Sequence, residues 1–224
     1  MREIFEAELT ALGEDLAAMA TGVQAAITSA GRALAASDLA TAQTVIADDL
    51  TIDRLQRQLD ERCIHLLAQQ QPVATDLRVV VSALRMGATL ERMGDLARHV
   101  AEIARGRYPQ SAVPPVLTGT FAEMDVAACR LARRIVTLLG NRDLTLAESI
   151  ETDDDRLDAL HADTFTAMLG AGWAGTPQQT IDVTLLGRFY ERFGDHGVSI
   201  ARRIGYLVTG DLSAGEPPNL DATD

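Results

Sequence analysis

The sequence predicts an all-α protein of six long helices, arranged as two tandem, pseudo-symmetric three-helix bundles. Residues that favour helices, among them alanine, leucine, glutamate and arginine, dominate the chain, and aromatic residues make up 4% of it. No segment shows the sustained alternation of apolar and polar residues that is typical of strands. A pentapeptide also occurs twice, 100 residues apart, so the 224 residues divide into two similar halves.

Residues 1–107 are expected to form the first bundle. Apolar spacing and the signals between segments predict helices over 3–35, from Ser37-Asp38 to Gln69, and from Pro72 to about Arg107. Asp38 is expected to cap the second helix, because aspartate is favoured at that position. Pro72 is expected in the first turn of the third helix, where a missing N–H costs nothing.

Residues 108–115 are uncharged and rich in proline, which predicts a linker. Residues 116–209 are expected to form the second bundle, with helices over 116–139, 144–169 and 177–209. Gly140 and Asn141 are expected to close the first of these helices. Residues 210–224 contain prolines and acids and have few apolar side chains to bury, so they are expected to be a disordered tail.

The charge and the cysteines narrow the class of protein. The formal charge is −12, and all positive charge comes from arginine. This balance argues against nucleic acid and anionic membranes as partners and favours cations or a basic protein surface. No apolar run is long enough to cross a bilayer, and the first residues carry acids instead of a signal peptide. Cys63 and Cys129 are far apart in the sequence, which is typical of small buried thiols in a reducing compartment. We therefore expect a soluble cytoplasmic protein.

The repeated pentapeptide is Glu91–Asp95 in the first half and Glu191–Asp195 in the second. Its two acids are four positions apart, so both carboxylates lie on one helix face, where they repel unless a cation or an arginine lies between them. Gly94 and Gly194 are costly inside a helix. Each glycine has a purpose if a neighbouring helix or a ligand must approach closely there.

A second acid pair precedes an Asp-Arg-Leu match in each half. Asp49 and Asp53 align with Glu151 and Asp155 when the halves are shifted by 102 residues. Each half then carries two acid pairs, one on each of two helices. Carboxylates from adjacent helices can converge on a hard or borderline divalent cation.

Other interpretations of the acids remain open. Acids at this spacing are usually a solvated face paired with arginines, although the duplication favours a cation site. His99 and His196 could add a nitrogen ligand, whereas His65 and His161 receive no assignment. The Glu-x-x-His spacing of di-iron bundles is absent. Because no glycine-rich phosphate loop, nucleophile elbow or Cys/His pairing is present, we expect that the protein is not an enzyme.

The chain resembles the PhoU family in three segments. These are Gln71–Arg78, Leu90–Asp95 and Tyr190–His196, and the resemblance covers roughly residues 3–210. It implies two tandem three-helix bundles. It also implies a negative regulator of phosphate uptake and of phosphate-starvation signalling. Such a regulator would be cytoplasmic and peripherally associated with the membrane transporter complex.

The resemblance further implies partners and metal ions. The partners would be the ATPase subunit of the phosphate ABC transporter and a phosphate-responsive sensor histidine kinase; a homodimer stays open. The metal would be a divalent or trivalent ion such as Fe, Zn, Mn or Mg. Carried over by position, its ligands would be Asp49, Asp53, Glu91, Asp95, Glu151, Asp155, Glu191 and Asp195.

The second copy departs from the family pattern at Arg202, where the first half has Glu102. A guanidinium there would compete with a cation, so the second-half site is expected to be weaker or empty. His99 and Ser199 also replace the asparagine that the family often has. Two alternatives to a regulator are a carboxylate-bridged multinuclear metal protein, either a metalloenzyme or a metal store, and a plain helical scaffold whose acids contact basic partners.

Overall fold

A computed structural model describes residues 2–211, with side chains from residue 5 onward. It contains α1 (Arg2–Ala36), α2 (Leu39–Gln70), α3 (Ala74–Arg107), α4 (Thr118–Asn141), α5 (Thr145–Leu169) and α6 (Pro177–Thr209). A 3₁₀ turn, Pro115–Leu117, precedes α4. The six predicted helices are confirmed, and this part of the chain contains no strand. Most of the predicted tail, residues 212–224, lies outside the described residues.

Two predicted helix ends are wrong by one turn or less. Pro72 lies outside α3, which begins at Ala74, because the chain is extended at Val73. Gly140 does not close α4, which continues to Asn141 and ends at Arg142 in the left-handed conformation (φ 55°). The predicted cap at Asp38 is confirmed, since its carboxylate accepts a hydrogen bond of 3.1 Å from the backbone N–H of Thr41.

The two bundles share one continuous core. Within each half every helix packs on the other two, and the halves join where α1 packs on α4 and α3 packs on α6. Met19, Met93, Met124, Tyr190 and Phe193 are fully buried in this core. Burial of such large apolar side chains is the main favourable term in folding. The two halves therefore stabilise each other and are not structurally independent domains.

An ion pair also joins the halves near the end of α3. Arg107 donates from Nε to Asp182 Oδ2 at 2.5 Å and from Nη2 to Asp182 Oδ1 at 3.0 Å. Asp182, on α6, is 1% exposed. A two-pronged contact of this kind orients as well as attracts, so it holds α3 and α6 in a defined register.

The pattern of buried residues aligns the two halves. Helix α1 corresponds to α4 at an offset of 105, which pairs Met19 with Met124 in the core. Helix α3 corresponds to α6 at an offset of 100, as the pentapeptide predicted. Helix α2 corresponds to α5 at an offset of 105, which pairs the buried residues Val45 with Ile150 and Ile52 with Leu157.

The predicted offset of 102 between α2 and α5 is therefore wrong. It matches no buried position of α2 to a buried position of α5. The structural counterparts of Asp49 and Asp53 are Asp154 and Asp158. The run of acids around residues 151–158 offers several alignments by charge, and only the apolar positions distinguish among them.

No helix in residues 2–211 has an apolar stretch long enough to cross a membrane.

Substitution of Thr176 tests the start of α6, which carries the second pentapeptide. Thr176 and Gln179 form a reciprocal capping box: the Gln179 N–H donates to Thr176 Oγ1, and the Thr176 N–H donates to Gln179 Oε1. We expect Thr176→Ala to lower the free energy of unfolding by about 1 kcal/mol, as measured by urea denaturation. Thr152→Ala is the matched control, because Thr152 bonds only within its own exposed helical turn. Equal effects of the two substitutions would contradict the capping role.

Candidate functional site

The first acid cluster consists of Asp49 and Asp53 on α2 with Glu91 and Asp95 on α3. The close packing of α2 on α3 brings the four predicted residues together, and their charges act on one another. Arg98 crosses the cluster. Its Nε lies 2.7 Å from Asp49 Oδ2, and its Nη2 lies 2.7 Å from Asp95 Oδ1.

Arg98 is the internal counter-ion of this cluster. It also donates to Glu102 at 2.8 Å, and these acids raise the pKa of its guanidinium, with the hydrogen bond that Arg98 donates to Asp95 contributing most. Burial raises the pKa of Asp49, and Arg98 opposes that shift. Burial and the charge of Asp95 raise the pKa of Glu91. The first cluster is thus partly neutralised by a permanently charged side chain.

The second acid cluster consists of Asp154 and Asp158 on α5 with Glu191 and Asp195 on α6. Its Asp154 Oδ1 is buried and has no hydrogen-bond partner. Burial, and then the charges of Asp158 and Asp195, raise the pKa of Asp154 to about 7. The pKa values of Asp158 and Glu191 are also raised, first by partial burial and then by Asp195. Arg188 contacts Glu191 at the margin of the cluster.

Two predicted ligands of the second half, Glu151 and Asp155, are not among these four residues, although the charge of Asp155 contributes to the raised pKa values of Asp154 and Asp158. Glu151 pairs with Arg202, whose Nε lies 3.6 Å from Glu151 Oε1, and Asp155 is exposed to solvent. Arg202 therefore pairs with one of the predicted ligands but lies outside the four-residue second cluster, whereas Arg98 lies within the first cluster. The relative occupancy of the two halves stays a prediction.

The two glycines make room for these acids. A Cβ at position 194 would lie 2.2 Å from Asp154 Oδ1 and 3.0 Å from Leu157 Cδ1. A Cβ at position 94 would lie 3.0 Å from Ile52 Cδ1 and 3.4 Å from Asp49 Oδ1. The prediction of a close approach at both glycines is confirmed, and the neighbour is the adjacent helix of the same bundle.

Three of the four histidines, His99, His161 and His196, are partly buried. His99 stacks on Phe189 of α6, with ring centroids 5.1 Å apart, and so helps to join the halves. His196 is half-buried, and burial followed by Arg192 lowers its pKa. His161 lies one turn after Asp158, and its buried Nε2 has no hydrogen-bond partner. Burial lowers its pKa as well.

The donor atoms of the second cluster are carboxylate oxygens. Within residues 2–211, no three His, Cys, Asp or Glu side chains converge closely enough to form a ready-made metal site. The second cluster nevertheless has four carboxylates and an unpartnered buried oxygen, and oxygen ligands are what hard divalent ions take. In the first cluster, Arg98 already supplies positive charge.

Fold and site together define a six-helix protein built from two acid-faced repeats. The sequence model of the PhoU domain matches residues 16–104 and 121–204. The chain is 42% identical over 210 residues to the phosphate-specific transport system accessory protein PhoU homolog 2 of Mycobacterium tuberculosis, covering 94% of this chain and 99% of the relative. It is 40% identical over 212 residues to PhoU homolog 1 of Mycobacterium leprae, covering 95% and 96%. The chain belongs to the PhoU family.

Solved structures agree with this assignment. The crystal structure of PhoU from Pseudomonas aeruginosa matches with a TM-score of 0.84 and 29% identity, covering 92% of this chain and 100% of that one. The phosphate transport system regulatory protein PhoU from Streptococcus pneumoniae matches with a TM-score of 0.83 and 23% identity, covering 93% and 98%, and supports the fold.

The elevated pKa of Asp154 predicts a dependence of stability on pH. The folded protein holds this proton up to about pH 7, whereas an unfolded aspartate releases it near pH ~3.9. When a chelator is present, the contribution of the Asp154 proton to the free energy of unfolding is complete below about pH 4 and is lost as the pH rises towards 7. Asp154→Asn should flatten the fall measured by urea denaturation. Asp163→Asn, an exposed acid of α5, should leave it unchanged, and parallel wild-type and Asp154→Asn curves would contradict the shift.

Proposed function

We propose that this protein is a negative regulator of phosphate uptake and of phosphate-starvation signalling. The observation that carries the proposal is the match of nearly the whole chain, at 42% identity, to a phosphate-specific transport system accessory protein. The match also covers nearly all of that relative, so no region of it lacks a counterpart here. The protein would act in the cytoplasm, peripherally associated with the membrane transporter complex.

The regulator would act by binding other proteins. Its partners would be the ATPase subunit of the phosphate ABC transporter and a phosphate-responsive sensor histidine kinase. The charge of −12 suits basic surfaces on such partners, because complementary charge steers encounter and selects the partner. The joined core would let the two halves act as one body.

The acid clusters would bind divalent cations. In the second half Asp154, Asp158, Glu191 and Asp195 would hold the ion, and in the first half Asp49, Asp53, Glu91 and Asp95 would share their charge with Arg98. A bound cation would supply the positive charge that the second cluster lacks. It would also favour the ionised form of Asp154. Oxygen ligands favour Mg or Mn over softer ions.

Paired substitutions on α5 test the metal proposal. Asp154→Asn with Asp158→Asn should weaken Mn²⁺ binding to the purified protein by about tenfold or more, as measured by calorimetry. Glu151→Gln with Asp163→Asn is the matched control, because it removes two exposed acids of the same helix outside the second cluster. We expect a small effect there. Equal losses in the two pairs would indicate non-specific charge attraction.

A starvation reporter tests the regulatory role. Alkaline phosphatase activity would be measured in phosphate-rich cells that lack this gene. We expect wild type and the Glu151→Gln/Asp163→Asn control to restore repression. The variant with Asp154, Asp158, Glu191 and Asp195 changed to Asn or Gln, at equal abundance, should leave the reporter several-fold higher. Failure of the wild type to repress would overturn the regulatory proposal, whereas full repression by the quadruple variant would separate regulation from the second acid cluster.

A further inference from the structure

A groove between α1 and α2 lies beside the first acid cluster, and Asp49 of that cluster is one of its lining residues. Its volume is about 540 Å³, within the range of ligand pockets. One wall is formed by small side chains of α1, including Gly22, Ala25 and Ser29. The facing wall, on α2, includes Thr44 and Asp48.

The second half contains what fills the equivalent position. At the offset of 105 residues, Ala25 corresponds to Arg130, Ser29 to Arg134 and Asp48 to Asp153. Asp153 is 1% exposed, because both arginines cover it. Arg130 Nε lies 2.5 Å from Asp153 Oδ1, and Arg134 contacts Asp153 Oδ2.

Arg134 also donates to the backbone carbonyl of Ser149, the counterpart of Thr44. The second half therefore places two guanidinium groups, one helical turn apart, against one carboxylate and one carbonyl. Guanidinium groups suit this setting because they are planar, weakly hydrated and able to engage both oxygens of a carboxylate.

The first half keeps the carboxylate and lacks the arginines. Asp48 is exposed, and within residues 2–211 it forms no ion pair. Asp49, beside it, is paired with Arg98 on the side of α3. Arg32 also lines the groove and forms no ion pair with Asp48 in this part of the chain.

We infer that this groove is a docking site for a partner polypeptide that inserts two arginine side chains from one helix face. One guanidinium takes the place of Arg130 and the other the place of Arg134, with Asp48 as their shared acceptor. The net charge of −12 complements such a partner. Arginines four residues apart on a helix present two guanidinium groups one turn apart, which a free amino acid or a metal ion does not supply. This inference does not depend on the proposed regulatory role.

Peptide binding to the full-length protein tests the inference. The probe is a labelled alanine-based helical peptide with two arginines four residues apart, and its control carries two lysines. Fluorescence anisotropy at about 0.15 M salt limits non-specific attraction to the acidic protein. We expect the arginine peptide to bind more tightly than the lysine peptide. Asp48→Asn should weaken its binding about tenfold, whereas Glu61→Gln, an exposed acid of the same helix, should not.

A variant that fills the groove from within supplies an independent test. Ala25→Arg with Ser29→Arg should abolish peptide binding and raise the melting temperature, and adding Asp48→Asn should remove that gain. If the double arginine variant does not fold, Asp48→Asn and Asp48→Ala decide the matter. Peptide affinity that is unchanged by substitution of Asp48, or no binding at millimolar peptide, would overturn the inference. A wild-type dimer that Asp48→Asn dissociates would assign the groove to a second copy and overturn it too.

Discussion

The close approach of neighbouring helices at Gly94 and Gly194 is the constraint on which the acid faces depend. A side chain at position 194 would collide with the Asp154 carboxylate, so the missing Cβ is what lets α5 set that carboxylate against α6. The same approach removes water from Asp154 and places it among other acids. Geometry and electrostatics therefore have one cause, because the contact that packs the bundle also raises the free energy of the charged carboxylate.

The negative charge of the acid cluster is balanced in a different way in each half. In the first, Arg98 joins Asp49 and Asp95 and supplies the opposing charge internally. In the second, Asp154 Oδ1 has no partner, and a proton or a cation must supply that charge. On the opposite face of α5, it is the second half that has the arginines. Arg130 and Arg134 of α4 fill there the space that is a groove in the first half. The duplication kept the backbone and reassigned the positive charges.

The acid clusters and the α1–α2 groove therefore lie on one body with a continuous core. The acid clusters lie where α2 meets α3 and where α5 meets α6, and the groove opens on the α1 side of α2, where Asp49 belongs both to the first cluster and to the groove lining. The shared core and the Arg107–Asp182 pair hold the halves together.

The sequence by itself determined the six helices, the twofold repeat and the family, because apolar spacing and a repeated pentapeptide are local properties. It also predicted the first acid cluster, and Asp49, Asp53, Glu91 and Asp95 do lie together. The tertiary structure decided the register of α5: Ile150 and Leu157 must enter the core, which turns Asp154 and Asp158 towards the acids of α6 and leaves Glu151 to pair with Arg202. It also decided that Arg98, and not Arg202, enters an acid cluster. Charge alone cannot make that choice, since an acid-rich helix offers many equivalent matches and only packing selects one.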